Sequence, residues 1–167
     1  MKGQGGGRIR VCFVCLGNIC RSPTAEAVMK HLVRAAKLDD KIHVESAGTG
    51  DWHVGEPRDR RSQATAAGRG VPLSGRAQLF TGADFDRFDH VVAMDSSNLD
   101  NLRQMAPHAA ARAKVSLLRG YEENASSPGA DVPDPYYGGA RGFEQVFDIC
   151  EAACAGLLAW LRREHGL

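Results

Sequence analysis

The sequence contains no apolar run near the roughly twenty residues that a membrane-spanning helix needs. It also lacks charge of one sign: 21 Lys+Arg stand against 20 Asp+Glu, a formal net charge of +1. The first absence excludes a spanning helix. The second excludes a broad basic face for nucleic acid and an acidic tail, so affinity for any anion has to come from a local arrangement. The six histidines (His31, His43, His53, His90, His108, His165) are scattered, and no His-rich cluster lies near the cysteines, so the ligand set of a metal centre is missing and none is expected. Cysteines are few and odd in number: Cys12, Cys15, Cys20, Cys150 and Cys154. In a chain large enough to fold without staples they read as reduced thiols, with at least one available for chemistry. The stretch Val11 to Cys20 follows Lys2, Arg8 and Arg10 as a signal core would. It is broken by Gly17 and Asn18, runs into Arg21 and has no small-residue cleavage site, so the expectation is a cytoplasmic protein without membrane insertion.

What is present fits one globular domain. The 167 residues are 43% hydrophobic and 25% charged, enough for a sizeable core. Residues 1–7 read as a glycine-rich, flexible tail, and 8–167 as the folded domain. Ile9 to Val14 reads as a buried strand, and Ser22-Pro23 as a helix start with Ser22 as cap. Further strands are expected at Ile42 to Ser46, Val91 to Met94 and Lys114 to Leu118. Helices are expected at Arg60 to Arg69, from an Asp95 cap to about Met105, and from about Gly142 to Arg163. Ala47 to Arg58, with three glycines and a proline around Trp52, reads as an exposed loop, and Gly120 to Gly139 as a long functional or disordered one. Strands alternating with helices imply an α/β fold: a single-domain three-layer sandwich whose central four-stranded parallel sheet carries helices on both faces. Ligands of such sheets bind at the carboxyl ends of the strands.

That is where the reactive residue types fall. Between the first strand, ending at Cys15, and the first helix lies Leu16-Gly17-Asn18-Ile19-Cys20-Arg21-Ser22. Backbone N–H groups of a tight strand-to-helix turn converge into an anion-binding nest, and the helix N-terminus adds partial positive charge. Gly17 and Asn18 tolerate the left-handed backbone such a turn needs. Arg21 supplies a planar fork of donors for phosphate oxygens. In the same field Cys15 is favoured as thiolate, a nucleophile suited to attack on phosphorus, with Ser22 placed to donate to the sulfur. A departing alkoxide needs a proton, and Asp134, between Pro133 and Pro135 and followed by Tyr136 and Tyr137, is the best general acid, with Asp131 as a possible substitute. Cys12 and the Cys150/Cys154 pair read as core packing, and Asp95 as a helix cap.

These residues resemble the low-molecular-weight protein tyrosine phosphatases. The strongest match is Val11-Cys12-Phe13-Val14-Cys15-Leu16-Gly17-Asn18-Ile19-Cys20-Arg21-Ser22-Pro23-Thr24-Ala25-Glu26-Ala27. It is followed by Ser46-Ala47-Gly48-Thr49, by Met94-Asp95-Ser96-Ser97-Asn98-Leu99 and by Asp134-Pro135-Tyr136-Tyr137. The resemblance implies Cys15 as nucleophile, Arg21 as phosphate-binding arginine and Asp134 as general acid, without cofactor. It implies Leu16 to Ser22 as the phosphate loop, with Asn18, Ser22 and Ser46 bracing it, and Cys20 as a redox partner of Cys15. Trp52, Tyr136 and Tyr137 would form the substrate cleft. The implied substrate is a tyrosine-phosphorylated protein or peptide, with phosphate and other oxyanions as product or inhibitors, and a monomer is expected.

Two positions depart from the pattern. A bracing histidine common in the family is replaced by Gly75, and an arginine three positions later by Gln78. Rival readings on the same loop are a protein arginine phosphatase and an arsenate reductase. Arginine-specific members carry threonine where this chain has Ile19, and the reductases usually lack Asp-Pro-Tyr-Tyr. Outside the fold's enzymes stand a non-catalytic phosphotyrosine-binding module and a dithiol redox protein.

Overall fold

A computed structural model describes residues 7–123, 130–136 and 138–167. Residues 1–6, most of the expected glycine-rich tail, lie outside the described residues, as do Tyr137 and part of the loop expected at Gly120 to Gly139.

Four parallel strands, β1 (Ile9–Cys15), β2 (Ile42–Gly48), β3 (His90–Ala93) and β4 (Val115–Leu117), form one sheet in the order β2-β1-β3-β4. The five residues ending β1 are all buried because it is a central strand covered on both faces. The pleat sends Val11, Phe13 and Cys15 to one side, where they pack with α1 (Arg21–Ala35) and α5 (Ala140–His165). Cys12 and Val14 go to the other side, against Phe80, Phe85 and Leu102, the last on α3 (Ser96–Met105). The short α2 (Arg60–Gly68) also leans on α5, and a single turn, α4 (Ala109–Arg112), precedes β4. The three-layer α/β arrangement is the expected one.

β1 sits between β2 and β3, so the chain runs outward one way from β1 to β2 and then crosses back to β3. That reversal opens a crevice beyond the carboxyl ends of β1 and β3, where the Cys15–Arg21 turn lies.

Three local expectations are corrected. The first helix starts at Arg21, and Ser22 is inside it; its hydroxyl is bonded to side chains of the preceding turn and does not cap the helix. Of Gly17 and Asn18, only Asn18 is left-handed, with φ 57°. At Gly17 a Cβ would come 3.0 Å from the His53 ring, a tight contact that the histidine would have to relieve. The stretch Ala47 to Arg58 is not all exposed: Ala47 and Gly48 complete β2, and Arg58 is 5% exposed.

Candidate active site

β1 delivers Cys15 to the floor of the crevice because its last residue still belongs to the core face, leaving the residue 3% exposed. The next five residues bend sharply into α1. Two groups hold the sulfur. Ser22 Oγ lies 2.9 Å from Cys15 Sγ, and the Asn18 N–H donates to it at 3.3 Å. One arrives from the turn and the other from the first turn of α1, so the sulfur, the loop and the helix start share one geometry.

Asn18 is the keystone of that turn. Its Nδ2 donates to Ser22 Oγ at 2.9 Å and to Ser46 Oγ on β2 at 3.0 Å. Its Oδ1 accepts from the Gln78 N–H at 2.9 Å and from Arg58 Nη1 at 2.6 Å. The Gln78 side chain bonds Ser46 O at 2.8 Å and Glu45 Oε1 at 3.3 Å, tying the next segment to β2.

Arg21 opens α1, with its side chain 6% exposed. Nη1 donates to Asp95 Oδ2 at 2.5 Å and to the Val132 carbonyl at 3.2 Å, and Nη2 lies 3.7 Å from Asp134 Oδ2. Burial opposes its charge, but the charges of Cys15, Asp95 and Asp134 outweigh burial and hold the cation above its ordinary pKa. Asp95 caps α3, as expected, by accepting from the Asn98 N–H at 2.7 Å. Its other oxygen orients Arg21, a second task that the sequence did not suggest.

Asp134 stands over the cleft with its side chain 46% exposed. Its loop is pinned at Val132, whose N–H donates to Met94 O at 2.8 Å. It is pinned again at Asp131, whose Oδ1 accepts from the Ser96 N–H and hydroxyl, both at 2.8 Å. Asp131 is therefore occupied in holding the loop. Asp134 Oδ1 accepts from the Tyr136 N–H at 3.0 Å, which leaves the outer oxygen toward Arg21.

Cys15, Leu16, Gly17, Ile19, Cys20, Arg21, Trp52, His53, Asp134 and Tyr136 line one open cleft of about 450 Å³. The fold thus gathers residues from three separate stretches of chain. Trp52 is 66% exposed at the rim. His53, given no role in advance, lies between the loop and Tyr136, its Nδ1 2.9 Å from Glu56 Oε1 and its ring 6.2 Å from that of Tyr136. Cys20 shares the cleft, where burial, with the Asp59 charge adding, pushes its thiol up to about 12. Cys12, Cys150 and Cys154 are fully buried elsewhere, and burial pushes each thiol up. No group of three or more His, Cys, Asp or Glu among the described residues is placed to hold a metal ion. No described helix is long and apolar enough to cross a membrane.

The site therefore offers a buried cysteine sulfur before a helix-opening turn, a paired guanidinium, and a carboxyl group in one cleft with Trp52 and Tyr136. Arg58 is the functional candidate that sequence reasoning passed over. Only its buried hydrogen bonds, made to residues distant in sequence, bring it out.

Residues 10–166 match the family model described as low molecular weight phosphotyrosine protein phosphatase. A low molecular weight protein-tyrosine-phosphatase of Streptomyces coelicolor is 49% identical over 155 residues, 93% of this chain and 94% of that protein. The crystal structure of YfkJ from Bacillus subtilis superposes with a TM-score of 0.88 at 39% identity, covering 95% of this chain and 98% of that one. A more distant structure, the YwlE arginine phosphatase in a cysteine-to-serine form with a phosphorylated active-site serine, gives a TM-score of 0.82 at 25% identity over 93% and 97% of the two chains. The match runs through almost the whole chain and takes in the loop, the cleft and the acid segment together: the chain belongs to the low molecular weight phosphotyrosine protein phosphatase family.

Proposed function

We propose that this protein hydrolyses phosphotyrosine in proteins or peptides through a phosphocysteine intermediate on Cys15. The observation that carries the reading is the single cleft in which the buried Cys15 sulfur faces Arg21 and Asp134 between Trp52 and Tyr136. A phosphoryl group seated on the Leu16–Ser22 turn meets converging backbone donors and the Arg21 fork. The Cys15 thiolate attacks phosphorus. As the S–P bond forms and the P–O bond to the ring breaks, protonated Asp134 gives its proton to the leaving phenolate oxygen. Asp134, now a carboxylate, takes a proton from a water that attacks phosphorus. The S–P bond then breaks, Ser22 Oγ stabilises the departing thiolate, and phosphate leaves. The aromatic residues Trp52 and Tyr136 in the lining suit an aryl ring.

Relatives named as tyrosine phosphatases at up to 49% identity support this substrate class over the arginine phosphatase structure at 25%. Ile19, on the cleft wall, is apolar where arginine-specific members carry threonine. The phosphorylated serine of that arginine phosphatase supports a covalent phosphoenzyme on this loop.

The test is phosphate release from phosphotyrosine, phosphoserine and phosphoarginine peptides, with chelator, by wild type and Cys15→Ser. The expected result is chelator-resistant turnover of phosphotyrosine alone, lost in the variant while the fold persists. A phosphoarginine preference would overturn the substrate class, and substantial hydrolysis by Cys15→Ser would remove the cysteine from its role.

A further inference from the structure

The phosphate loop turns on one left-handed residue. Asn18, with φ 57°, sits in a region that asparagine tolerates better than other L residues, because its side chain can form local hydrogen bonds. Asn18 is 0% exposed, so the partners of its carbonyl and amide decide whether the turn holds. Arg58 Nη1 donates to the Asn18 carbonyl oxygen and to Asn18 Oδ1, both at 2.6 Å. One nitrogen therefore clamps main chain and side chain of the same left-handed residue.

The rest of Arg58 is fixed with equal care. Its side chain is 4% exposed. Nη2 reaches Ser46 Oγ at 3.3 Å and Glu26 Oε1 at 3.4 Å, and Nε reaches the Ser74 carbonyl at 3.4 Å. Ser46, itself a partner of Asn18, donates onward to the same Glu26 oxygen at 2.5 Å. A buried guanidinium is costly unless matched, and Glu26 matches it. Burial draws the Arg58 pKa down, with the Glu26 and Cys15 charges opposing, yet a guanidinium remains a cation near neutral pH.

Gly75 makes this arrangement possible. A Cβ there would lie 3.6 to 4.0 Å from the guanidinium atoms of Arg58, so any longer side chain would compete for the space Arg58 fills. Its φ of 99° also demands glycine. Where the resemblance leads one to expect a histidine, this chain has Gly75, and the guanidinium of Arg58, seventeen residues earlier in the chain, lies against it.

We propose that Arg58 is the positioning residue of the phosphate loop: its guanidinium, admitted by Gly75 and anchored on Glu26, holds Asn18 in the conformation that shapes the anion cradle. It acts through Asn18 and does not touch the substrate. The inference rests on the proposed phosphatase reading only for its activity readout. A cationic brace thus stands where an imidazole is usual, and the loop of this chain depends on the Glu26 charge.

Glu26 and Ser74, two of the partners of Arg58, also line an open surface pocket of about 190 Å³. A cavity left by truncating Arg58 therefore borders solvent, and free guanidinium ion can serve as the probe. The experiment compares wild type, Arg58→Ala and Arg58→Lys by kcat and KM on an aryl phosphate, by inhibition and direct binding of inorganic phosphate, and by rescue with tens of millimolar guanidinium chloride. Equal NaCl and urea are the controls.

The expected loss in Arg58→Ala is about 100-fold in kcat, the scale of a misplaced catalytic loop, with weakened phosphate binding. Guanidinium should restore it saturably, while NaCl and urea do not. Arg58→Lys, a point charge that cannot bridge Asn18 and Glu26 together, should be impaired less and gain nothing from guanidinium. Wild-type kcat and phosphate affinity in Arg58→Ala would overturn the proposal, as would recovery equal in all three solutes. If Arg58→Ala does not fold, Arg58→Lys decides: wild-type kcat and phosphate affinity there overturn it, and a deficit in both supports it. A wild-type enzyme inactive on every aryl ester would count against the phosphatase reading alone. The brace would then be judged by phosphate binding, weakened in Arg58→Ala and restored by guanidinium.

Discussion

Cys15 is 3% exposed, yet it is the sulfur that meets substrate in the proposed reaction, because the last residue of a buried strand opens directly into the cleft. At this scale the proposed chemistry was legible: a cysteine, an arginine six residues on and a carboxyl between two prolines have the identities that the proposed roles need. The proton-transfer role of Asp134 has a specific signature. Asp134→Asn should lower kcat about 10²- to 10⁴-fold on alkyl-like leaving groups and far less on good phenolate leaving groups, which depart without a proton. A Brønsted series on both proteins checks this, and equal losses across it would exclude the acid role. Cys20, pushed up to about 12 mainly by burial, stays a thiol at neutral pH and does not compete for the phosphoryl group. Peroxide should instead join Cys15 to Cys20 by disulfide, visible by peptide mass spectrometry, and the Cys20→Ala variant should recover less activity on adding thiol. The second task of Asp95, holding Arg21, was not legible, because a helix cap and a guanidinium partner are the same residue type in a sequence.

Element boundaries show where local rules fail and why. Ser22 has the residue type of a helix cap, but its hydroxyl is drawn to Cys15 and Asn18, and the helix begins two residues earlier, at Arg21 with Cys20 as its N-cap. Arg58 lies in a stretch rich in glycine and proline that reads as exposed loop, and it is buried because Glu26 and Asn18, from another part of the chain, compensate its charge. Close packing of α5 yields a sharper test. A Cβ on Gly156 would fall 1.8 Å from the Tyr121 carbonyl oxygen, a backbone atom with no rotamer to escape through. Gly156→Ala should therefore cost about 2 kcal/mol and lower Tm by about 4–8 °C, despite the better helix propensity of alanine. Gly68→Ala, in α2, meets nothing within 4 Å and should be neutral or slightly stabilising. Thermal melts of the two variants decide whether the separation of α5 from the chain at Tyr121 is set by that glycine.

Across the whole molecule, the end of the sheet away from the cleft joins the start of β3 to the end of α5. His90 Nε2 lies 3.0 Å from His165 Nε2, with the Trp160 ring edge-on to His90 at 5.3 Å. Burial, and then His165, lower the His90 pKa from its ordinary 6.5; Asp89 and Glu164 oppose this, and Lys114 adds to it. The folded state therefore binds this proton later than the unfolded chain as pH falls. Its contribution to stability is full above pH 6.5 and is lost as pH drops below that value toward the folded pKa. Tm should accordingly decline from pH 7 to pH 5.5, and His90→Gln should flatten the decline. An identical slope in the variant would show that other groups set it.

The sequence by itself determined the fold class and the order of strands and helices, and it marked out Cys15, Arg21 and Asp134 as candidates, because each rests on local periodicity or on side chains whose chemistry is intrinsic. The tertiary structure alone decided what surrounds them. The pairing of Arg21 with Asp95, the closing of Asp131 onto Ser96, and the filling of the Gly75 space by Arg58 join residues 74, 35 and 17 positions apart. Such contacts depend on how a parallel sheet reverses its order at β1, and that placement in space has no counterpart in the spacing of residues along the chain.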